Sequence, residues 1–217
     1  MTLLPLQDQL QQALGSAYRI ERQVGAGGMA TVFAAVETAL ERRVAVKVLR
    51  RELVAELSTE RFARAVRLAA SLQQANIVPL LAAGTAGEFS YYTMPLIDGS
   101  SLRARMATGE SISMTAATSI LRDVARALAY AHGAGVVHRD IKPDNVLLSG
   151  GTAVVSDFGI AKAMDAARTG NSSTMTSPGL ALGSPGYMAP EQIAGDHVDH
   201  RADIYAWGVV AWELLAS

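Results

Sequence analysis

Hydrophobic and polar positions follow two different patterns along this chain. Up to about residue 95, short β-type runs surround one helical stretch. The mostly apolar run at residues 43–49 predicts a strand, whereas apolar residues near helical spacing from Leu53 to Leu72 predict a helix. After Gly99 the pattern becomes helical, and residues 115–132 carry one apolar face. Its members are Ile120, Leu121, Val124, Leu128 and Ala131.

Three further segments complete this pattern. Residues 1–17 predict a short amphipathic helix (Leu3, Leu6, Leu10, Leu14), whose simplest role is packing or capping. Residues 165–186 are rich in Ser, Thr, Gly and Ala and predict a long loop, which in a compact domain is usually functional or disordered. Residues 202–215 are strongly apolar and predict a helix that needs burial on most sides.

Composition places the chain among globular proteins and removes several classes of partner. The chain has 217 residues, half of them hydrophobic and 18% charged, which suffices for one large domain or two lobes. With 19 basic against 20 acidic residues, the net charge of -1 supplies no general attraction to nucleic acid. There is no cysteine, so disulfides, thiolate metal sites and cysteine nucleophiles are excluded.

Targeting and membrane signals are absent from the sequence pattern. The first residues lack the basic start and apolar segment of a signal peptide. No run approaches the roughly 18 uncharged apolar residues that span a bilayer. We therefore expect no membrane segment within this chain, no nucleic-acid partner and a cytoplasmic location.

The first candidate for chemistry is a glycine-containing stretch between two predicted strands. It comprises Gly25, Ala26, Gly27 and Gly28, and Val32 follows in the next strand. Glycines let the backbone approach phosphate oxygens and present N–H groups to them. A plain hairpin turn explains these residues equally well, because such short motifs recur by chance. A dinucleotide-binding fold would need a helix where residues 32–36 predict a strand, and the Gly-Lys-Ser/Thr of a Walker loop is absent.

The second candidate is Lys47, which ends the apolar run Val44-Ala45-Val46 one strand after the glycines. A lysine among apolar residues on a strand is costly unless its charge is paired or directed at a ligand. The alternative is a lysine on an edge strand that reaches solvent. On this motif alone, the alternative is the stronger interpretation.

Two polar clusters between apolar runs supply the remaining chemistry. Asp140 can accept a hydroxyl proton, and Lys142 can neutralise a transferring phosphoryl group. Asn145 and Asp157 offer hard oxygen ligands for Mg²⁺. Ordinary surface turns would explain one such cluster, but they do not explain all four motifs in this order and spacing.

Taken together, these motifs resemble those of the protein kinases. The resemblance continues through the Ala-Pro-Glu segment at residues 189–191 and the segment after Asp203, and it spans about residues 18–217. The sequences His-Arg-Asp-Ile-Lys-Pro-Asp-Asn and Gly-Tyr-Met-Ala-Pro-Glu-Gln are similar to the bacterial, eukaryotic-like (Hanks-type) branch. Lys142, two residues after Asp140, is typical of serine/threonine kinases rather than tyrosine kinases.

The resemblance implies an α+β, protein-kinase-like fold with two lobes. An N-lobe of antiparallel sheet plus one helix would occupy about residues 18–95, and a mainly helical C-lobe about residues 96–217, after an extension at 1–17. The implied activity is transfer of the ATP γ-phosphoryl group to Ser and Thr hydroxyls of proteins, including autophosphorylation. The implied cofactors are ATP and Mg²⁺, with Mn²⁺ as an alternative.

The resemblance also assigns residues to the nucleotide. The backbone around the glycines would cover the phosphates, Lys47 would contact the α- and β-phosphates, and Met94 would be the gatekeeper. The Pro95 carbonyl and Ile97 N–H would bond the adenine edge, since only the carbonyl of Pro95 is needed. The implied nucleotide-binding residues are Val24, Gly25, Ala26, Gly27, Gly28, Val32, Ala45, Lys47, Met94, Pro95, Ile97 and Leu147.

In the catalytic segment, Asp140 would accept the substrate proton, and Asn145 with Asp157 would hold the metal. Asp203 would anchor the catalytic loop, and His138 would stack on Phe158. Arg139, beside the catalytic aspartate, can pair with a phosphorylated loop residue. Thr174 and Thr176 are the favoured phosphorylation candidates; Thr169, Ser172, Ser173 and Ser177 are the others.

Four departures from the family pattern stand out. The third glycine of the loop is Ala30, and Ser184 stands where Thr is usual. Ala65 takes the place of the third-helix Glu, and Glu60 is five residues away, which is not a same-face spacing on a helix. The chain stops at Ser217, so we expect a fragment whose last apolar helix partly faces water and promotes self-association.

Two functions from different classes therefore compete. The intact catalytic residues favour an active serine/threonine kinase, whereas Ala65 and the early end favour an ATP-binding pseudokinase or signalling scaffold. A small-molecule phosphotransferase of kinase-like fold is a weaker third interpretation, because it would not need the Ala-Pro-Glu segment after a Ser/Thr-rich loop.

Overall fold

A computed structural model describes residues 4–28, 30–50, 59–158 and 185–216, apart from the side chains at 59–62 and 65. The chain divides into two compact units. The first comprises Met1–Thr59 with Leu80–Leu96, and the second comprises Glu60–Pro79 with Ile97–Ser217. The greater part of the loop expected at 165–186 lies outside the described residues, as do Ser184 and all six phosphorylation candidates.

The first unit is an antiparallel five-stranded sheet with one helix. Helix α1 (Leu6–Leu14) comes first, within the segment where a short helix was predicted. The strands of the sheet are β1 (Tyr18–Ala26), β2 (Ala30–Glu37), β3 (Arg42–Leu49), β4 (Ala82–Ala86) and β5 (Phe89–Pro95). They have the order β1-β2-β3-β5-β4, so β1 and β4 are the edges of the sheet. The predicted strand at 43–49 is confirmed as β3.

The two faces of this sheet have different characters. Successive side chains on a strand point to opposite faces. On one face, Phe33, Val44, Val46 and Val48 form a buried cluster with residues of α1. Val32, Ala45, Lys47 and Met94 lie on the other face, where Val32 pairs with Lys47 and Ala45 pairs with Met94. These four predicted nucleotide residues therefore share one face, whereas Pro95 pairs with Val44 on the face against which α1 packs.

The second unit is mainly helical. A two-residue strand leads into a short helix, and a β-hairpin follows the longest of its helices. The helices are α2 (Thr59–Ala70), α3 (Leu102–Ala107), α4 (Met114–Gly133), α5 (Pro190–Ala194) and α6 (Arg201–Ala216). The strands β6 (Ser100–Ser101), β7 (Val146–Ser149) and β8 (Thr152–Val155) form a small sheet, and two 3₁₀ turns span Pro143–Asn145 and Pro185–Tyr187.

Helix α4 provides the centre of the second core. Its predicted apolar face is confirmed, because all five of its members are buried. Leu72 and Ile77 belong to the same cluster. The Val78 N–H donates to the Val155 carbonyl at 2.9 Å, which joins this segment to β8. These contacts group Glu60–Pro79 with the second unit, whereas the sequence analysis placed residues 18–95 together.

Helix α6 buries one face and exposes the other. Ala206, Val210 and Leu214 are spaced by four residues and are buried. Ile204 and Trp212 are 52% and 75% exposed. Both expectations for this helix are therefore met, its apolar character and its partial exposure, while self-association stays a prediction. No helix within the described parts of the chain is long and apolar enough to cross a membrane.

Candidate active site

The segment after α4 brings three predicted catalytic side chains together. The Lys142 ammonium lies 2.8 Å from the Asp140 carboxylate. Asn145 lies in the 3₁₀ turn, and its side-chain N–H₂ donates both to the Asp140 carbonyl at 2.7 Å and to the Asp140 carboxylate at 3.0 Å. These contacts hold the Asp140 carboxylate between a cation and an amide, so its orientation is set before any substrate arrives.

Asp157 follows β8 and is connected to Asn145 through Ser156. The Ser156 N–H donates to the Asn145 carbonyl at 2.9 Å. The Ser156 hydroxyl lies 3.3 Å from the Asp157 carboxylate. Asp157 has a φ of 69°, in the left-handed region that non-glycine residues rarely adopt. Such a conformation is held only where surrounding contacts determine it, and it is common at functional sites.

Arg139 is the second non-glycine residue of this site in the left-handed region, with a φ of 70°. Its backbone is held on both sides: the N–H by Asp203, a fully buried carboxylate in the first turn of α6, and the carbonyl by the Gln192 amide, which donates to it at 2.9 Å. Asp203 accepts the Arg139 N–H at 2.7 Å and the His138 N–H at 2.8 Å, and it lies 2.8 Å from the His132 ring. One buried carboxylate thus anchors the backbone immediately before Asp140, as the resemblance implied.

His138 connects the backbone at Asp140 with the backbone at Ser156, next to Asp157. Its ring stacks edge-on against Phe158, with centroids 4.6 Å apart, as the resemblance implied. Its Nδ1 accepts the Asp140 N–H at 3.2 Å, so Nε2 carries the proton and donates to the Ser156 carbonyl at 2.8 Å. The ring is fully buried. His138 therefore contacts backbone at both Asp140 and Ser156.

In the first unit, the glycine stretch forms the hairpin between β1 and β2. The Gly27 N–H donates to the Ala30 carbonyl at 2.9 Å, and Gly25 pairs with Val32. The prediction of a strand after the glycines is confirmed, so the dinucleotide interpretation is excluded. Ala26, Gly27 and Gly28 are exposed, as is Val24 at 40%. The hairpin thus leaves its backbone accessible to a ligand.

Lys47 lies on β3, between β2 and β5 in the sheet. The alternative of an edge-strand lysine is therefore wrong. Its ammonium lies 5.9 Å from the centre of the Tyr92 ring, a favourable cation–π distance. Ala45 on the same strand is buried and Met94 on β5 is half-buried.

The remaining predicted nucleotide residues are distributed over both units. Pro95 ends β5 in the first unit, whereas Ile97 belongs to the second. Leu147 lies on β7, where it pairs with Ser101 and Val154. Within the first unit the structure brings together Gly25, Val32, Ala45, Lys47 and Met94; within the second it brings together Asp140, Lys142, Asn145 and Asp157.

A polar cluster that the sequence analysis missed lies in the second unit. Arg103 on α3 hydrogen-bonds Glu213 on α6 at 2.5 Å and also Tyr187, whose hydroxyl donates to Glu213. The Arg103 guanidinium also lies 3.6 Å from Asp144, next to Asn145. Burial raises the pKa of Glu213, but the hydrogen bonds from Arg103 and Tyr187 outweigh it, so this pKa lies below its usual value. No local pattern predicts a contact between residues so far apart in sequence.

The same cluster changes the ionisation of its other two members. Burial, followed by the hydrogen bond to Glu213, raises the pKa of the Tyr187 hydroxyl. The hydrogen bond to Glu213 raises the pKa of Arg103 despite burial. At neutral pH the cluster therefore holds a charged arginine, a charged glutamate and a neutral tyrosine. Through Tyr187, this cluster links the segment that follows residue 184 to helices α3 and α6.

The donor set at Asn145 and Asp157 fits a divalent cation. Both Asn145 amide hydrogen bonds to Asp140 use the nitrogen, so the amide oxygen takes part in neither. Mg²⁺ is typically bound by one or two carboxylates together with phosphates and water, rather than by a full protein cage. The described residues contain no group of three or more His, Asp or Glu able to enclose a metal by themselves.

An antiparallel sheet with a glycine hairpin, together with a helical unit that holds Asp140, Asn145 and Asp157, defines the class of protein kinases. The model for the protein kinase domain matches residues 18–217, and the chain belongs to this family.

Several relatives of this chain come from bacteria. The chain is 40% identical over 212 residues to serine/threonine-protein kinase PknB of Mycolicibacterium smegmatis, covering 95% of this chain and 33% of the relative. It is 37% identical over 211 residues to PknA of Mycobacterium tuberculosis, covering 94% of this chain and 48% of the relative. The crystal structure of the Mycobacterium tuberculosis PknI kinase domain superposes with a TM-score of 0.72 at 30% identity, covering 92% of this chain and 74% of that one. The chain thus spans less than half the length of these two curated relatives.

Proposed function

We propose that this chain transfers the γ-phosphoryl group of ATP to Ser and Thr hydroxyls of proteins, as part of a bacterial serine/threonine protein kinase. The observation that carries the proposal is the position of the Asp140 carboxylate, 2.8 Å from Lys142 and 3.0 Å from the Asn145 amide. Phosphoryl transfer depends mainly on positioning and charge stabilisation, so a rigidly oriented carboxylate beside a lysine suits it.

In this proposal the first unit binds the nucleotide. The exposed backbone of the glycine hairpin donates N–H groups to the phosphates, and Lys47 supplies a positive charge on the same face of the sheet. Val32 and Ala45 provide apolar contact for the adenine, and Met94 and Pro95 line its edge. The adenine contacts that the resemblance implies for Leu147 and Ile97 stay predictions.

The second unit performs the transfer. Asp140 orients the substrate hydroxyl and accepts its proton, while Lys142 stabilises the negative charge that develops on the transferred group. Asn145 and Asp157 would hold the divalent ion, Mg²⁺ or Mn²⁺. When bound, the ion neutralises phosphate charge. Asp203 keeps the backbone before Asp140 in place through its two N–H contacts.

Regulation and location complete the proposal. Autophosphorylation at Thr174 and Thr176 would supply an anionic group for Arg139 to pair with. The protein substrates and the cytoplasmic location are proposed on the same basis, namely the family and the bacterial relatives. The pseudokinase alternative rests on Ala65 and on the early end of the chain, and the relatives named serine/threonine-protein kinases do not favour it. Ala65 lies within α2, but its side chain is outside the described part.

Transfer of radiolabelled phosphate from Mg-ATP to a generic protein substrate tests the proposal. Asp140→Asn keeps the shape of the side chain but removes the proton acceptor, and Asp157→Ala removes a metal ligand, so both should abolish transfer. Asp196→Asn is the matched control, since Asp196 is exposed beyond α5. Circular dichroism checks that the variants fold. Undiminished transfer in a folded Asp140→Asn or Asp157→Ala protein would refute the assignment, and nucleotide binding without transfer by the parent chain would favour the pseudokinase.

A further inference from the structure

Helix α1 precedes the matched kinase domain, yet it is built into the core of the first unit. The family model begins at residue 18. Leu10 is fully buried and Leu14 is 7% exposed, and both join Tyr18, Ile20 and Phe33 in one hydrophobic cluster. A helix that contributes buried leucines to the sheet's only described core is an integral part of that unit.

Two glutamines of α1 make hydrogen bonds with the backbone of β1. The Gln11 side chain donates to the Tyr18 carbonyl at 3.0 Å and accepts the Ile20 N–H at 2.8 Å. It thereby bonds the backbone of β1 much as a neighbouring strand would, on an edge that none of the described strands covers. The Gln11 side-chain nitrogen also donates to the Gly15 carbonyl at 2.9 Å. Both N–H donors and the oxygen acceptor of the Gln11 amide therefore have partners. One turn earlier, Gln7 donates to the Glu21 carbonyl at 3.3 Å.

The rest of β1 has few other anchors. The pairing of β1 with β2 is shifted between Ile20 and Arg22 and again between Gln23 and Gly25. Each shift places an extra residue on β1, which bends and twists a strand and interrupts its ladder. Tyr18 and Ile20 are the only buried residues of β1. Beyond Glu21, β1 is therefore held by its interrupted pairing with β2, whereas its buried side chains and its contacts with α1 lie at its beginning.

We propose that α1 is a clamp on the edge strand β1, in which Gln11 is a positioning residue that fixes the base of the glycine hairpin and so sets the affinity for the nucleotide phosphates. The effect on ATP rests on the proposed function, whereas the clamp itself does not. Loss of the Gln11 contacts frees the Ile20 N–H and lets β1 open more often, because hydrogen-bonded edge segments are held by small local free energies. A hairpin with a mobile base spends a smaller fraction of its time with its N–H groups in the binding arrangement. The affinity for the nucleotide falls in proportion to that fraction.

Gln11→Met tests this with little disturbance of the helix. Methionine matches glutamine in helix propensity and lack of branching but makes none of its three hydrogen bonds. Gln12→Met, an identical change at an exposed position of the same helix, is the control. Hydrogen exchange of residues 18–26 should become about tenfold faster in Gln11→Met, on the scale of one or two net hydrogen bonds. It should stay at the parent rate in Gln12→Met.

The second measurement is kinetic. In Gln11→Met the KM for ATP and the dissociation constant of Mg-ADP should rise by about three- to tenfold. The kcat at saturating ATP should hold, because the catalytic residues are untouched; a general loss of folding would lower kcat as well. Unchanged hydrogen exchange, or equal effects of the two substitutions, would overturn the clamp. Faster exchange with unchanged nucleotide affinity would overturn the positioning role. If the parent transfers no phosphate, the proposed function fails, and the exchange and Mg-ADP data still decide the clamp.

Discussion

Replacing Asp203 by asparagine should weaken the second unit and misplace Asp140 at the same time. The carboxylate is fully buried, and its two oxygens accept the backbone N–H groups of His138 and Arg139. Asparagine has the same shape, but one of its two positions becomes an N–H₂ donor. At least one of the two backbone N–H groups then faces a donor in place of an acceptor.

The expected loss of folding free energy and of kcat follows from these contacts. A buried donor without an acceptor costs about 1–3 kcal/mol. The surviving bond also loses its charge assistance, which makes such bonds about twice as strong as neutral ones. We therefore expect Asp203→Asn to lower the free energy of unfolding of the second unit by about 3 kcal/mol, a large part of a typical total of roughly 5–15 kcal/mol. If the variant is assayed where it stays folded, kcat should fall about tenfold to a hundredfold, because the loop carrying Asp140 loses its anchor.

Urea unfolding followed by tryptophan fluorescence measures the stability change. The chain has two tryptophans, Trp207 and Trp212, and both lie on α6 with Asp203, so the signal reports on the second unit. With a urea dependence of about 1–3 kcal/mol per molar, the midpoint should fall by about 1–3 M. The control is Asp199→Asn, since asparagine can keep the 2.8 Å bond that Asp199 accepts from the Arg201 N–H. A midpoint for Asp203→Asn equal to that of the control would refute the anchoring role.

Three other results are expected. Because the folded-state pKa of Glu213 is depressed, its stabilising contribution is present above its unfolded-state pKa of roughly 4.3 and is lost as the pH falls through the folded-state value. Urea midpoints should therefore drop more steeply below that pH in the parent than in Glu213→Gln, and parallel curves would argue against the contact with Arg103. Ala65→Glu should raise turnover by about ten- to a hundredfold if Ala65 replaces the family glutamate, and equal steady-state rates would mean that Ala65 is not that position or that another acid fills the role. Mass spectrometry after incubation with Mg-ATP should find phosphate within residues 169–184, foremost at Thr174 and Thr176, and phosphate found only elsewhere would contradict that assignment.

The local sequence pattern was sufficient to predict several helices and strands of this protein and its family. The apolar run that ends near Lys47 and the helical spacing before His132 each lie within one element, so periodicity alone predicts the strand and the helix. The order of the glycine, lysine and aspartate motifs sufficed to place the chain in the protein kinase family, because that order is linear information. The lysine motif by itself favoured an edge strand for Lys47, which is wrong, since a strand's place in its sheet is not written in its own residues. The sheet order settles this by placing β3 in the interior.

Only tertiary structure decides which distant residues meet. The contact between Arg103 and Glu213 joins positions 110 residues apart, and Asp203 meets the Arg139 backbone across 64 residues. Neither pairing has a period or spacing that a sequence pattern could carry. Gln11 is an ordinary polar position on an amphipathic helix until the edge of β1 is beside it. Sequence determines which face of each element is apolar. When those faces are buried against one another, particular polar groups lose their contact with water, and only the fold decides which ones. Those buried polar groups must then find hydrogen-bond partners within the protein.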